Sequence, residues 1–417
     1  MLRSILSSGR RGAVVAAVIL AGATGPAAAG EDDGAVRVAN AASPAEPATT
    51  ITPTLLWSVG GADDEDVIFG VLTSICADEN GTLFLLDQQL NQVMVFSKDG
   101  EYLRSIGREG EGPGEFRRPS GMFLTPDGNV AVLQTMPGRI ILMTRGGEPI
   151  GNHPIPDAPD RGMMMIFQGD RSGDNIVLDT RSFGRTDTKM EITRSLIAID
   201  AAGKVVTTYQ TANEERDFAN MAFDEKQMQS LMWACGSDGR VYVSDDFDAY
   251  HIGVYNAGGV RERVIEREYQ HRKRSKEEMD RNRPRIMIRR GNRTQAPEAK
   301  ASETDRDILE LYPRDDGTLW VVSSRGGNDA PDGTIATFDV FDASGRFARQ
   351  VTIEGEGSAG DDGLHFVGDR LYVVKGLRSA QRSQMGGGDG ANEEDLGEAE
   401  PMAVLCYDLG QIVQGRK

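Results

Sequence analysis

The chain has 417 residues, with 46 Lys or Arg, 64 Asp or Glu and a net charge of −18. That length, at 39% hydrophobic residues, is ample for one large domain with its own core. So acidic a balance excludes nucleic acid as a partner, because its phosphates would be repelled, and favours solubility and cationic partners.

Residues 1–29 carry Arg3, Arg10 and Arg11, an apolar stretch from Ala13 to Ala23, and Ala27-Ala28-Ala29 at the end. This pattern predicts a secretory signal peptide cleaved before Gly30. The apolar stretch is short for a membrane span, and no Cys follows it to take a lipid anchor. The Arg10-Arg11 pair leaves the twin-arginine route open. The chain is expected to be exported, periplasmic or extracellular, with no transmembrane segment after cleavage. Removing the signal leaves a net charge of −21. Residues 30–52 are rich in Ala, Pro and acid and predict a disordered acidic leader.

The organising unit is residues 82–119, TLFLLDQQLNQVMVFSKDGEYLRSIGREGEGPGEFRRP. It predicts three short strands, two tight turns and a Gly-rich exit. The strands are nearly continuous in apolar residues, as in a sheet covered on both faces. One small sheet cannot bury both faces alone, so copies are expected. The second strand recurs as TLFLLD, NVAVLQ, NIVLDT, RVYVSD, TLWVVS and RLYVVK, mostly after turns such as DENG, PDG and DDG. The third recurs as QVMVFS, RIILMT, SLIAID, HIGVYN, TFDVFD and AVLCYD. In such turns Gly supplies positive φ and Asp or Asn local hydrogen bonds. A fourth strand follows five of the third strands and is missing after AVLCYD. LLWSVG (Leu55–Gly60) supplies it, joining the two chain ends and removing a free sheet edge. The predicted fold is an all-β, six-bladed β-propeller of four-stranded antiparallel blades over residues 53–410, with 411–417 as a C-terminal tail.

The stretch LLDQQLNQVMVFSKDGEYLRSIGREGEGPGEFRRP resembles the NHL-type repeat and, with it, the bacterial extracytoplasmic six-bladed propellers. The other blades match in strand and turn pattern, and none repeats GPGEF. The resemblance implies the propeller fold. It leaves function open, since such propellers serve as protein-binding, RNA-binding and sensor domains and as a metal-dependent amidating lyase.

In a four-stranded blade, the loops joining strands two and three lie with the blade-to-blade crossings on one face of the ring. Every long segment falls there: Gly107–Arg118, Thr180–Arg194, Thr211–Ser230, Arg267–Asp307, Ser324–Ala336 and Gly376–Met402. Insertions gathered on one face mark a binding face. Residues 267–307 form a basic helical insertion. From Arg261 to Arg293 there are thirteen basic and six acidic residues. Ser275-Lys276-Glu277-Glu278 has capping-box spacing, so a helix is expected from there to just before Pro284. Met279, Ile286, Met287 and Ile288 could pack it across the channel mouth. Arg272, Lys273, Arg274, Lys276, Arg281, Arg283, Arg285, Arg289 and Arg290 either engage an anionic partner or clamp the arm onto the protein's own acidic rim. Residues 376–402, with GGGDGANEEDLGEAE, predict a flexible loop.

Chemistry is sparse. Cys76 and Cys235 fall on first strands of opposite blades, so no disulfide is expected between them, and Cys406 is read with them as a small buried hydrophobe. Of four His, only His365 is placed to face the channel, and the spacing is not that of a zinc site. Asp245, Asp246 and Asp248 lack the register of a calcium loop. Glu310, an acid on an inner strand, joins Trp233 and His365 as the candidate ligand-contacting set. No catalytic residue, metal ligand or cofactor is assigned, although calcium is compatible with so many acids. The sequence therefore points to a non-catalytic binding or sensor propeller that engages a protein or anionic polymer through its elaborated face. The alternative is a calcium- or zinc-dependent hydrolase or lyase at the channel mouth.

Overall fold

A repeating local device sets the strand ends. Between the first two strands of blade one, Asp78 accepts the backbone N–H groups of Asn80 and Thr82 at 2.9 and 2.8 Å, and Gly81 takes φ +79. The chain turns back there because a short carboxylate replaces a ladder partner and glycine tolerates positive φ. The same geometry recurs at Asp200, Asn256 and Asp342.

The computed structural model describes residues 34–156, 164–186, 189–217, 223–228, 231–283, 288–290, 293–295, 299–378, 380 and 401–410. The predicted signal peptide, the C-terminal tail and most of the loop at 376–402 lie outside the described residues. No described helix is long and apolar enough to cross a membrane.

The fold is a six-bladed β-propeller. Blade one is Leu72–Ala77, Leu83–Asp87, Gln92–Phe96 and Tyr102–Ile106, antiparallel throughout. Blade two runs from Pro119–Leu124 to Pro149–His153, and blade three from Met164–Ser172 to Val205–Asp217. Blade four runs from Met232–Cys235 to Arg261–Arg267, and blade five from Ile308–Pro313 to Phe347–Glu354. Blade six is Gly363–Val367, Arg370–Lys375 and Ala403–Asp408, closed by Thr54–Gly60 with Trp57 opposite Cys406. The expected joining of the chain ends is therefore present.

Each apolar strand serves two interfaces. Leu83 and Leu85 pack with Tyr372, Val374, Val404 and Cys406 of blade six. The alternate residues Phe84 and Leu86 pack with Val130, Val132, Ile141 and Met143 of blade two. This is why the strands read as continuous apolar runs: successive side chains point to opposite faces, and both faces are covered. Full burial of each such side chain stabilises by about 1.5–3 kcal/mol. Four further clusters fill the remaining blade interfaces.

Two expectations are corrected. The leader is ordered from residue 34. Val36–Asn40 adds in parallel to the outer strand of blade four, and Thr49–Ile51 to that of blade five. Asn40 pins the junction. Its amide donates to the carbonyls of Glu266 and Gly345 at 3.0 Å each, and its oxygen accepts the Phe347 N–H at 2.8 Å. The Ala, Pro and acid content concealed two short β-branched segments whose partners are unpaired blade edges. The second correction concerns blade three. Of the segments read as insertions, Thr180–Arg194 is largely strand, and Thr211–Ser230 begins as strand up to Asp217. Asn175–Arg185, Lys189–Ile199 and Val205–Asp217 continue the blade in unbroken pairing beyond its neighbours.

Candidate functional site

The basic arm leaves blade four where Arg267 ends the outer strand, and the expected helix forms at Lys276–Asn282. Both halves of its capping box are made. The Ser275 hydroxyl accepts the Glu278 N–H at 3.2 Å, and the Glu278 carboxylate accepts the Ser275 N–H at 2.7 Å.

Arg272 and Arg274 fix the arm to the protein. Arg272 donates to Asp305 at 2.7 Å, Glu278 at 2.8 Å and Asp329 at 2.6 Å. Arg274 donates to Asp305 at 2.5 Å and to both oxygens of Glu225 at 2.6 and 2.9 Å. Burial opposes the charge on Asp305, but the hydrogen bonds from Arg274 and Arg272 outweigh it and hold the carboxyl below its ordinary range. Nearby, His271 meets Asp307 at 2.9 Å, and the Tyr269 and Ser324 hydroxyls lie 2.9 Å apart.

The other arm cations differ. Lys273, Lys276 and Arg281 are exposed, and none has a carboxylate within ion-pair distance among the described residues. Arg283 pairs with Asp280 at 3.2 Å on the surface. Arg289 and Arg290 lie on the short strand Ile288–Arg290, and Arg285, Ile286 and Met287 lie outside the described residues. Met279 is part-buried.

Beneath the arm is a chamber of about 680 Å³, lined by Arg274, Glu278 and Arg281 of the arm and by Asp305, Glu310 and Arg378 below it. Glu310 and Arg378 approach to 3.4 Å. Burial raises the Glu310 carboxyl above its ordinary value, against the pull of Arg378.

A second chamber, of about 900 Å³, occupies the central channel toward the plain face. Inner strands of five blades reach it, and Asp78, Glu79, Asp127 and Arg145 line its rim. Arg145 ties two blades at that rim, meeting Glu79 at 2.8 Å, Asp78 at 3.2 Å and the Gly128 carbonyl at 2.8 Å. Trp233 and His365 line this chamber, as does Asp170. Burial pushes His365 down to about 4, so it is neutral at pH 7. Burial pushes Asp170 up to about 6. The thiols of Cys76 and Cys235 are free and raised by burial, so both are protonated.

The structure thus divides the candidate set: Trp233 and His365 share the channel chamber, and Glu310 lies in the chamber under the arm. A bulge between Ile308 and Glu310 interrupts the inner strand, and the Glu310 carboxylate meets Arg378 from the insertion side. The acids at 245–248 serve locally: Asp245 accepts from Gln210 at 2.9 Å and meets His251 at 3.3 Å, and Asp248 pairs with Lys226 at 2.5 Å. Among the described residues no three His, Cys, Asp or Glu are grouped to hold a metal. Sequence reasoning passed over Asp170, Asp305 and Arg378. Asp305 was within reach, because an acid directly behind a basic insertion is a natural anchor for it.

A family model described as a 6-bladed beta-propeller (DUF5128) matches residues 64–225. No curated protein matches the chain by sequence. Among solved structures the chain is similar to a Bacteroides fragilis protein provisionally described as exported, at 13% identity and TM-score 0.47, covering 89% of this chain and 99% of that one. It is similar to virginiamycin B lyase from Staphylococcus aureus at 10% identity and TM-score 0.39, covering 84% and 98%. It is also similar to regucalcin, a calcium-binding protein from Agrobacterium tumefaciens, at 12% identity and TM-score 0.41, covering 87% and 97%. The family model supports the propeller architecture, and the NHL-type likeness of blade one stays an expectation from the sequence.

Proposed function

We propose that the chain is an exported, non-catalytic binding propeller that engages an anionic protein or polymer through its insertion-bearing face. One observation carries this reading: the arm divides its cations between two tasks. Arg272 and Arg274 are spent on Asp305, Glu225, Glu278 and Asp329, which fixes the arm in place. Lys273, Lys276 and Arg281 remain exposed, and Arg281 lines the chamber of about 680 Å³. On this reading the two alternatives for the basic arm divide between different residues. A strongly acidic body repels anions in general, so a local cationic patch on a fixed arm selects where an anion can land. Export rests on the basic and apolar pattern of residues 1–29.

The test is retention of the mature protein on immobilised polyglutamate and on a sulfated polysaccharide at rising salt. Wild type is expected to elute later than a variant carrying Lys273→Ala, Lys276→Ala and Arg281→Ala, with unchanged thermal stability. Equal elution of the two proteins on both supports would remove the arm from the binding face.

A further inference from the structure

Large apolar side chains left exposed in the insertion-face loops gather at one place. Among the described residues they are Ile68, Leu90 and Met136, at 74, 46 and 57% exposure. Ile68 lies in the crossing into blade one, Leu90 in the loop between the second and third strands of blade one, and Met136 in the same loop of blade two. Single exposed apolar residues need no explanation, but several grouped on neighbouring loops mark an interaction surface.

Hydrogen bonds join these loops in series. Asp87 accepts the N–H groups of Gly70 and Leu90, at 2.7 and 2.9 Å. Asn91 accepts the Arg118 N–H at 2.9 Å, and the Gln134 side chain accepts the Arg117 N–H at 3.0 Å. The crossing into blade one, the Leu90 loop, the crossing into blade two and the Met136 loop thus form one fixed platform. Asn91 and Arg118 sit at its middle, and they are the two non-glycine residues with positive φ among the described residues, at 51 and 48. Residues with a Cβ rarely adopt that conformation, and where they do the surroundings hold them in it, often at a working surface. A backbone fixed in advance lowers the ordering cost of binding.

Charge selects the partner. The four loops, 61–71, 88–91, 107–118 and 134–138, carry seven acidic and three basic residues, a net of −4. Arg108 pairs with Glu115 at 2.7 Å and Arg117 with Glu111 at 3.1 Å. Arg118 and the acids Asp63, Glu65 and Asp66 are exposed, with no ion-pair partner among the described residues, so the charge left over is also acidic. We propose that this platform docks a cationic segment of a partner protein, its apolar side chains on Ile68, Leu90 and Met136 and its Lys or Arg residues toward Asp63, Glu65 and Asp66. An anionic lipid surface, or a second copy of this chain at −21 without its signal, shares the sign of the platform and is repelled. The arm lies three blades away, at the crossing from blade four to blade five, and this docking does not depend on the function proposed above.

Biolayer interferometry of the mature protein at pH 7.5 and moderate salt tests this, with immobilised polylysine and a lysine-rich lysine–phenylalanine copolymer as probes. Wild type is expected to bind the copolymer about tenfold more tightly than polylysine, because its phenylalanines add apolar burial to the same kind of charge. Ile68→Ser, Leu90→Ser and Met136→Ser together should bring the two affinities level while leaving polylysine binding unchanged. Asp63→Asn, Glu65→Gln and Asp66→Asn together should weaken copolymer binding about threefold, and the triple arm variant should leave the ratio of affinities as it is. If the serine variant does not fold, the amide variant must still weaken copolymer binding. Three results would overturn the proposal: equal wild-type affinity for the two polymers, a ratio that the serine substitutions do not change, or a wild-type dimer in sedimentation that those substitutions dissociate, which would assign the platform to a second copy.

Discussion

The two chambers treat charge in opposite ways. Under the arm, carboxylates and guanidinium groups are interlocked, and Asp305 alone receives Arg272, Arg274 and Asn328. In the channel, burial raises the Asp170 carboxyl, with no ion-pair partner among the described residues, so that it holds its proton to about pH 6. The first arrangement anchors an insertion, and its ions apart from Arg281 are already paired. The second keeps a group whose charged form is disfavoured by its surroundings, a feature common at functional sites. A chamber crowded with ions is therefore not by itself the better ligand site. What matters is which charges still lack a partner.

The comparison breaks most visibly at Asp305. Asp305→Ala leaves two buried guanidinium groups short of a partner and is expected to destabilise by about 3–5 kcal/mol, or to release the arm locally, read by urea denaturation and by proteolysis near residues 276–283. Because the folded-state value of Asp305 is depressed, its stabilisation is present above the ordinary carboxylate value and is lost only as pH falls through the lower folded value. The arm should thus stay docked at pH 5.

Asp170 carries the opposite sign. Between 3.8 and about 6 the folded chain keeps a proton that the unfolded chain has lost, so its contribution to stability declines as pH rises across that window and levels off above it. Asp170→Asn should accordingly stabilise by roughly 1–2 kcal/mol at pH 7, after allowance for water in the channel, and by nothing below pH 4. A variant less stable than wild type at pH 7 would mean that the carboxylate is answered after all. Glu310→Gln removes a part-exposed pairing with Arg378 and should change stability by less than about 1 kcal/mol in thermal unfolding. The triple change at Lys273, Lys276 and Arg281 should stay within about 0.5 kcal/mol of wild type while reducing anion binding, since none has a described ion-pair partner.

The fold was legible because propeller blades are written locally. Turn residues such as Asp78 and Gly81 fix where each strand ends, and alternate apolar residues such as Leu83 and Phe84 mark two covered faces. Even the spaced polar residues of blade one have local tasks: Asp87 gathers four N–H groups, and Asn91 accepts the Arg118 N–H at 2.9 Å. The leader was misread because Val36–Asn40 is too short to announce itself, and its partner strand begins at Arg261. The long hairpins of blade three were misread because Arg181, Arg194 and Arg216 interrupt the apolar pattern on paired strands. The site was the least legible part. Placing Asp170 beside two thiols, or separating Glu310 from Trp233, depends on how five or six inner strands are arranged around an axis. Spacing along one chain does not carry that information.

The seam of the ring sets a timetable. Thr54–Gly60 has its partner at Ala403–Asp408, and Asn40 reaches Phe347 across 307 residues. Neither contact can form until nearly the whole chain is available. Closure is thus the most non-local event in folding, and folding dominated by such contacts is slow. Until then the early strands wait as open edges, with Leu55 and Leu56 still exposed even in the finished ring. The same clasp gives the completed protein its cooperativity. The N-terminal strand Thr54–Gly60 and the three strands of the last blade share one sheet, so neither end can peel away without opening the circle.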